Sequence, residues 1–403
     1  MALAPFIFGS HEPNTLEQLR DVASRAEKAA LMADGHLGYV MPIGGVAAYR
    51  NKISVVGVGF DIACGNAAIR TDLTTSHLAG RLSELADEIQ DTISFGVGRK
   101  NQSDDAPTNH PLFEDAAWDA VPGRHERDQL RSKARAQLGT VGSGNHYVDV
   151  FADEDDRIWV GVHFGSRGFG FGVAHGFLAL SQVLEWGARA PERETLLDVR
   201  QPLGDAYWEL MTLAGRYAYT GREWVARKVV DILGGREVEL VHNHHNFAWI
   251  EEHGGESYYV VRKGATPAFP GQMGFVGGSM GDNAVIIQGV ESDDPAVREI
   301  QARALYSTVH GAGRVMSRTQ AAGKRTRHGK VLRPGVISRD MMHEWVRKKD
   351  VVLRGGGTDE SPHVYRRLPD VLAAQGPTIE VLHSLRPLVV VMAGAEELDP
   401  YKD

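Results

Sequence analysis

The stretch RIWVGVHFGSRGFG, residues 157–170, holds the pattern that decides the fold. Residues 157–164 are rich in β-branched and aromatic side chains and predict a strand. The strand runs into a glycine-rich polar turn, and helical periodicity follows within 174–190. His163 thus ends a strand, beside a turn whose backbone N–H groups and Arg167 can bind an anion.

Strands, glycine-rich turns and helices extend over the rest of the chain. Thr15 and Gln18 fit a capping box, and helical spacing then continues through Ala30. Ser76 can cap a second helix, and residues 204–233 predict another. Further strand-like runs lie at 53–60, 237–242, 258–262 and 284–289. Because helices and strands are mixed without strict alternation, we predict an irregular α/β or α+β fold with its functional residues at strand ends.

Composition limits the class of protein. The 403 residues are 42% hydrophobic and 24% charged, which is typical of a globular protein, and their number gives a prior of two to three domains. The net charge of −8 argues against nonspecific coating of DNA or membrane. Cys64 is the only cysteine, so no internal disulfide can form. With no signal-like N-terminus and no apolar run near 18–20 residues, we expect a cytoplasmic location and no membrane partner.

Residues that can bind a metal recur in these turns. Asp61 and Cys64 lie three positions apart in GVGFDIACG, and His146 follows two glycines in GSGNHYVDV. Residues 241–253 contain four histidines: His242, His244, His245 and His253. Each residue alone is more often structural than a ligand. Together with His163 they indicate a thiolate–imidazole–carboxylate site for zinc, manganese or iron, with the carboxylate favouring manganese.

Two further segments indicate phosphate chemistry. In STVHGAGRVMSR, residues 307–318, His310 stands beside two glycines and precedes Arg314 and Arg318. A helix starting after Gly313 would place both arginines on one face, which suits a nucleophile with phosphate contacts. Lys263 precedes a second glycine-rich loop, but this loop lacks the order of residues of a P-loop.

These blocks together resemble the RNA-splicing ligase RtcB family from about residue 34 to residue 394. The matching blocks, in chain order, are ADGHLG, GVGFDIACG, GSGNHYVDV, VHFGSRG, HHNFAWIEEH, RKGAT, GGSMG and HGAGRVMSR. The resemblance implies one α+β domain over residues 1–403, with twisted β-sheets surrounded by helices. It also implies a ligase that uses GTP and two Mn²⁺ ions to join RNA ends bearing a 2′,3′-cyclic phosphate or 3′-phosphate to 5′-hydroxyl ends. An archease-like activator would be a further partner.

The resemblance also implies roles for individual residues. Cys64 would bridge the two metals, Asp61 and His146 would complete one, and His163 and His245 the other. His310 would attack GTP and carry GMP. The residues implied to line the nucleotide are Asn145, Asp149, His245, Asn246, Gly278, Ser279, Met280, Ala312 and Gly313. Those implied to contact phosphate are Arg167, Lys263, Arg314 and Arg318.

The sequence departs from this family near the expected base site. Asp149 replaces the usual glutamate, and Met392 or Ala393 stands where the family has a lysine-glycine pair. These changes leave open a divergent paralogue with another nucleotide preference. They also leave open a manganese phosphodiesterase that only opens cyclic phosphates, and a non-catalytic RNA-binding protein. Retention of His310 argues against the phosphodiesterase, and the intact metal set argues against the binding protein.

Overall fold

The computed structural model describes residues 4–325, 331–394 and 397. The strands are β1 Phe6–Ile7, β2 Lys28–His36, β3 Ile43–Tyr49, β4 Lys52–Ser54, β5 Gly65–Thr74, β6 Tyr147–Ala152, β7 Arg157–Phe164, β8 Leu196–Asp198, β9 Glu237–His244, β10 Asn246–His253, β11 Glu256–Lys263, β12 Ala265–Pro267, β13 Met273–Val276, β14 Ala284–Gly289, β15 Ser307–Val309, β16 Gly323–Arg325, β17 Val331–Pro334, β18 Val352–Arg354 and β19 Ile379–Met392.

Helices fill the connections between the strands. The α-helices are α1 Pro13–Ala23, α2 Val55–Val58, α3 Thr75–Leu78, α4 Leu82–Thr92, α5 Arg124–Gln137, α6 Arg167–Ser181, α7 Pro202–Leu233, α8 Pro295–Arg303, α9 Arg318–Ala322, α10 Arg339–Lys348 and α11 Leu368–Gln375. Short 3₁₀ turns occur at Pro111–Glu114, Ala116–Ala120, Thr358–Glu360, Pro362–Val364 and Gly376–Thr378. Within the described ranges, no helix combines the length and apolar character needed to cross a membrane.

The larger sheet brings four strand ends to one edge. Its order is β13-β14-β19-β6-β7-β5-β9, with β18 beside β19. Gly65, the first residue of β5, pairs with Phe164 at the end of β7 and with His244 at the end of β9. Tyr147, the first residue of β6, pairs with His163. Because these neighbours are antiparallel, the starts of β5 and β6 meet the ends of β7 and β9.

The strands of a second sheet have the order β1-β2-β3-β11-β10. The long helix α7 packs on β5 and β7 of the larger sheet. The strands of both sheets are largely buried, and the core is divided among several clusters of apolar side chains. The α+β prediction is confirmed. That residues 1–403 form one domain stays a prediction.

Two sequence predictions at the N-terminal part are wrong in detail. The predicted strand 53–60 ends at Ser54, whose hydroxyl accepts a hydrogen bond from the Gly57 N–H at 2.8 Å and starts the helical turn α2. Helix α1 begins at Pro13 with Glu12 as its N-cap and ends at Ala23. Ala30 therefore lies in β2, because apolar spacing alone cannot separate a helix from the buried strand that follows it.

The next two helices also differ from their predicted bounds. The helix expected after Ser76 is divided into α3 and α4, and Gly80, with a φ of +77°, lies between them. The helix expected within 174–190 spans Arg167–Ser181, because it begins directly in the glycine-rich turn. The prediction for 204–233 is confirmed by α7, and the strand predicted at 284–289 is β14.

Candidate metal and nucleotide site

The turn before β5 presents Asp61 and Cys64 at the shared sheet edge. The Cys64 N–H donates to the Asp61 carbonyl at 3.1 Å, which closes the turn, and Ala63 adopts a φ of +59°. The fully buried Arg222 of α7 donates to the carbonyls of Ala63 at 2.9 Å and Phe164 at 2.6 Å. The arginine thereby ties the turn to the end of β7.

Three histidines converge on Cys64 from the ends of separate strands. The Cys64 Sγ lies 3.7 Å from the Nε2 of His146, just before β6, and 3.6 Å from the Nε2 of His163 in β7. His245 follows β9, and its ring stacks on that of His163 with centroids 5.1 Å apart. Asp61 Oδ2 lies 3.0 Å from the His146 Nε2.

These side chains form two ligand groups that share the thiol. Ligand atoms within 4.8 Å of one another come from Asp61, Cys64 and His146 in one group and from Cys64, His163 and His245 in the other. Every sequence-predicted metal ligand is therefore brought together. The spacing of the four histidines in residues 241–253 did not show which of them could bind a metal. In the described part of the chain, His245 is the one of the four that joins a ligand group.

Hydrogen bonds outside the cluster orient its imidazoles. The His163 Nδ1 donates to Asn66 Oδ1 at 2.6 Å, and the His146 Nδ1 donates to the Val141 carbonyl at 2.9 Å. Both rings therefore turn Nε2 toward Cys64, as metal-binding histidines do. The Nδ1 of His245 is buried without a hydrogen-bond partner. Such an atom fits a site completed by a cation.

Charge states also fit a cation site. Burial lowers the pKa values of His163 and His245 well below the ordinary range, so both imidazoles are neutral and can donate a lone pair. Burial raises the pKa of Asp61, but its hydrogen bond to His146 and nearby positive charges outweigh this and bring it to about 2. Burial, and next the Asp61 charge, raise the pKa of the Cys64 thiol. A bound cation would favour the thiolate.

His310 stands beside this cluster and is held by a buried carboxylate. Its ring lies edge-on to that of His245, with centroids 4.8 Å apart. The Oδ2 of Asp34 accepts from the His310 Nδ1 at 2.6 Å, from the His310 backbone N–H at 3.0 Å and from the Gly311 N–H at 3.3 Å. Asp34 is fully buried in β2. The contact leaves Nε2 as the nitrogen with a free lone pair.

Sequence reasoning did not assign Asp34 or Arg222 a role. Asp34 lies in the ADGHLG block that carried the resemblance, yet it is 276 residues from His310 and its contact comes only from the fold. Arg222 falls within a predicted helix, where periodicity describes it as one polar residue among several. Nothing in the sequence indicates that Arg222 is buried and bonded to two carbonyls.

A pocket lies on the other side of His163. The Tyr147 ring stacks on that of His163, with centroids 5.4 Å apart, and it also lines the pocket. Tyr147 therefore lies between the metal-ligand cluster and the pocket. Four of the predicted nucleotide residues line the pocket: Asp149, Gly278, Ser279 and Met280. Met392 lines it as well. The Asp149 Oδ1 and the Tyr147 hydroxyl are buried there without hydrogen-bond partners.

The remaining predicted nucleotide residues contact the metal cluster or lie next to His310 in the chain. The amide of Asn246 accepts from the Gly264 N–H at 2.8 Å and donates to the Asp61 carbonyl at 3.4 Å. The Asn145 amide is 3.3 Å from the His163 Nε2. Ala312 is buried, and Gly313, with a φ of +73°, lies so close to β2 that a Cβ would be 2.4 Å from the Asp34 carbonyl.

The four predicted phosphate contacts do not form one patch. The Arg167 guanidinium lies 3.0 Å from the His146 Nδ1, whereas Lys263 donates to the Val56 carbonyl at 3.1 Å. The prediction that Arg314 and Arg318 share a helix face is wrong, because α9 begins at Arg318. The two arginines still converge, since both contact the Glu360 carboxylate.

Comparisons with known proteins agree with this arrangement. The family model described as tRNA-splicing ligase RtcB matches residues 16–393. The chain is similar to an RNA-splicing ligase RtcB of Escherichia coli, with 32% identity over 90% of this chain and 89% of the relative. It is similar to a tRNA-splicing ligase RtcB of Archaeoglobus fulgidus, with 31% identity over 94% of this chain and 91% of the relative. It is also similar to a tRNA-splicing ligase RtcB of Thermococcus kodakarensis, with 30% identity over 90% of this chain and 87% of the relative. The chain belongs to the RtcB family of ligases.

Proposed function

We propose that this protein is a GTP- and Mn²⁺-dependent RNA ligase. It would join RNA ends bearing a 2′,3′-cyclic phosphate or 3′-phosphate to 5′-hydroxyl ends through a histidine–GMP intermediate. The observation that carries the proposal is the contact of His310 with the buried Asp34 beside the Cys64 cluster. A carboxylate-held histidine next to a cluster of metal ligands suits nucleotidyl transfer.

The cluster fits two metal ions by its donor set. Asp61, Cys64 and His146 would hold one and Cys64, His163 and His245 the other, with the thiolate shared. Imidazole and thiolate ligands suit Zn²⁺ and iron, and the carboxylate favours the proposed Mn²⁺. When bound, the ions would neutralise phosphate charge and lower the pKa of water for opening a cyclic phosphate.

His310 and Asp34 would perform the nucleotidyl transfer. Asp34 keeps the proton on Nδ1, so the His310 Nε2 lone pair attacks the α-phosphorus of GTP. The N–P bond forms and pyrophosphate leaves. GMP then passes to an oxygen of the RNA 3′-phosphate and frees His310. Attack of the 5′-hydroxyl forms the 3′–5′ phosphodiester and releases GMP.

The pocket would hold the nucleotide. Asp149, Gly278, Ser279 and Met280 would surround the base, since they line one pocket. Asn145, His245, Asn246, Ala312 and Gly313 would line the part near the α-phosphate. Arg167, Lys263, Arg314 and Arg318 would neutralise phosphates, the last two after release from Glu360. A ligase with changed nucleotide preference is a second candidate, because the apolar Met392 faces this pocket. We also propose a cytoplasmic location and an archease-like activator.

Labelling with α-³²P-GTP and Mn²⁺ tests the proposal. We expect acid-labile label on the wild-type protein and none on His310→Ala, which should still bind metal because its ligands are elsewhere. With a 3′-phosphate RNA and a 5′-hydroxyl RNA, the wild type should form a joined product. Cyclic phosphate opening without label would instead indicate a phosphodiesterase, and RNA binding with neither activity would indicate a binding protein.

A further inference from the structure

A row of aromatic side chains lies beside the metal cluster. Phe60 stacks on His175 with centroids 4.6 Å apart, and it lies 6.4 Å from Tyr39 and 6.2 Å from Phe171. Phe171 and His175 are 4.1 Å apart. Tyr39 is 49% exposed, more than any other aromatic side chain of the described part of the chain. The other three are half-buried, so the row presents ring surface to solvent.

The row is continuous with the proposed active site. Phe60 directly precedes Asp61, so their Cα atoms are about 3.8 Å apart. Helix α6 begins at Arg167, beside His146, and presents Phe171 and His175 at successive four-residue steps on the same face. The row thus leads along α6, away from the metal ligands.

Positive charge accompanies the rings. The Lys263 Nζ lies 5.7 Å from the centre of the Tyr39 ring, within cation–π range. Lys263 precedes Gly264, where an added Cβ would be 3.1 Å from the His310 Cε1. Lys263 is therefore one residue from a glycine that packs against His310, while Arg167 marks the end of the row near His146.

A partly exposed row of rings with an arginine at one end matches an unpaired nucleic-acid strand, whose bases stack while its phosphates are attracted to the cation. Burial lowers the pKa of His175, which keeps its ring neutral and suited to stacking. Lys263 is buried with its ammonium bonded to the Val56 carbonyl, so the half-buried Arg167 is the cation that favours an anionic chain over an apolar protein partner. Stacking on rings does not require a particular base, so such a surface accepts varied sequences.

We propose that Tyr39, Phe60, Phe171 and His175 form a stacking platform for unpaired bases of the RNA whose 3′-phosphate end is bound at the Asp61 turn. The inference rests on the proposed function, because that function supplies the RNA end. The platform would position the last few nucleotides and leave the transfer of GMP to His310 unaffected.

The test combines protein variants with RNA lacking single bases. The probe is an unstructured RNA with a 3′-phosphate and an abasic nucleotide at each of the last three positions in turn. For Tyr39→Ala and His175→Ala we expect the KM for sealing intact RNA to rise on the order of ten-fold, with kcat changed little. Tyr39→Phe should restore it. Tyr259→Ala, which alters a half-buried ring that contacts Trp208, is the matched control.

The abasic substrates separate stacking from a structural effect. For the wild type, an abasic nucleotide at one or more of these positions should raise the KM for sealing by a similar factor. Tyr39→Ala should show no further rise in KM with that RNA, because the effects of two groups that interact with each other are not additive. Equal losses of the variant on intact and abasic RNA would overturn the platform, as would a defect limited to stimulation by an activator protein. GTP labelling of wild-type His310 without RNA reports on the proposed function separately. Failure there would refute that function, whereas normal labelling and sealing with no abasic effect would refute only the platform.

Discussion

Cys64 is the residue on which both ligand groups depend. Its thiol belongs to the Asp61–His146 group and to the His163–His245 group. We therefore expect Cys64→Ala to lose bound Mn²⁺ from both positions, measured by elemental analysis, and to lose guanylylation and sealing. The metal-free fold should persist, because a methyl group fits the buried position. Thr378→Ala, a small buried change near the distant start of β19, is the control. Normal metal content with full labelling would refute the shared-ligand role.

Asp34 fixes the tautomer of His310. In Asp34→Asn one oxygen can still accept a bond, but the negative charge that stabilises the histidine as the N–P bond forms is lost. The new NH₂ group would occupy the position of the Oδ1, which has no partner. We expect guanylylation to slow on the order of 10²–10⁴-fold, measured as the single-turnover rate of label transfer. Metal content should stay unchanged, and a rate within about three-fold of wild type would contradict the role.

If Asp149 contacts the base as proposed, the choice of nucleotide should depend on pH. Burial raises the pKa of its carboxyl well above the ordinary range. Below that pKa the neutral group offers one donor and one acceptor, whereas guanine presents two adjacent N–H donors at N1 and N2. As pH rises through the pKa, the carboxylate gains the second acceptor. We therefore expect the GTP-to-ATP labelling ratio to increase with pH.

The ratio of GTP labelling to ATP labelling is the measurement, because effects of pH on metal binding and on the transfer step common to both nucleotides cancel in it. Asp149→Asn cannot ionise, so its ratio should be flat over the same range. A wild-type ratio that is equally flat would show that Asp149 does not contact the base.

At the scale of elements, the sequence predicted strands better than their ends. The run 284–289 matches β14 because β-branched residues between turn signals leave few alternatives. The run 53–60 failed at Ser54, where a local side-chain hydrogen bond overrides the apolar pattern. The prediction that Arg314 and Arg318 share a helix face is wrong for a similar local reason. Arg314 lies in an extended segment that bridges to Tyr365, and helix α9 starts only four residues later.

The pairing of β6 with β19 sets the chemistry of the pocket. Val390 lies opposite Asp149 and Met392 opposite Tyr147, so the end of β19 faces the proposed base. Met392 cannot supply a cation to the guanine carbonyl oxygen, and a charge-assisted hydrogen bond contributes about 1.5–3 kcal/mol. The wild type should therefore discriminate GTP from ATP by less than about a thousandfold in labelling.

Met392→Lys tests that argument by adding the missing cation. We expect the preference for GTP over ATP to increase roughly ten- to a hundredfold, the factor that corresponds to such a bond. Competition labelling with GTP, ATP, CTP and UTP measures it. Met392→Leu keeps the apolar character and should not change the ratio. An unchanged ratio in Met392→Lys would mean that another group reads guanine.

At the scale of the whole molecule, the sequence predicted which residues form the site but not that they lie close together in space. Asp61, Cys64, His146 and His163 stood out because each follows or precedes a strand in a glycine-rich turn. Their convergence depends on the strand order β6-β7-β5-β9, which no spacing in the sequence specifies. Asp34 belongs to the other sheet, so its contact with His310 requires the packing of both sheets.

This dispersion predicts a global effect of metal. The ligands lie between residues 61 and 245 and come from four strand ends of the larger sheet, so the unfolded chain cannot present them together. Ions that bind only the folded protein stabilise it by about 2.7 kcal/mol per site at a hundredfold excess over Kd. We expect Mn²⁺ to raise the melting temperature by about a few °C, with the rise increasing with metal concentration. Cys64→Ala should show no rise, whereas His310→Ala should show the full one. An equal rise in Cys64→Ala would place the stabilising ions elsewhere in the molecule.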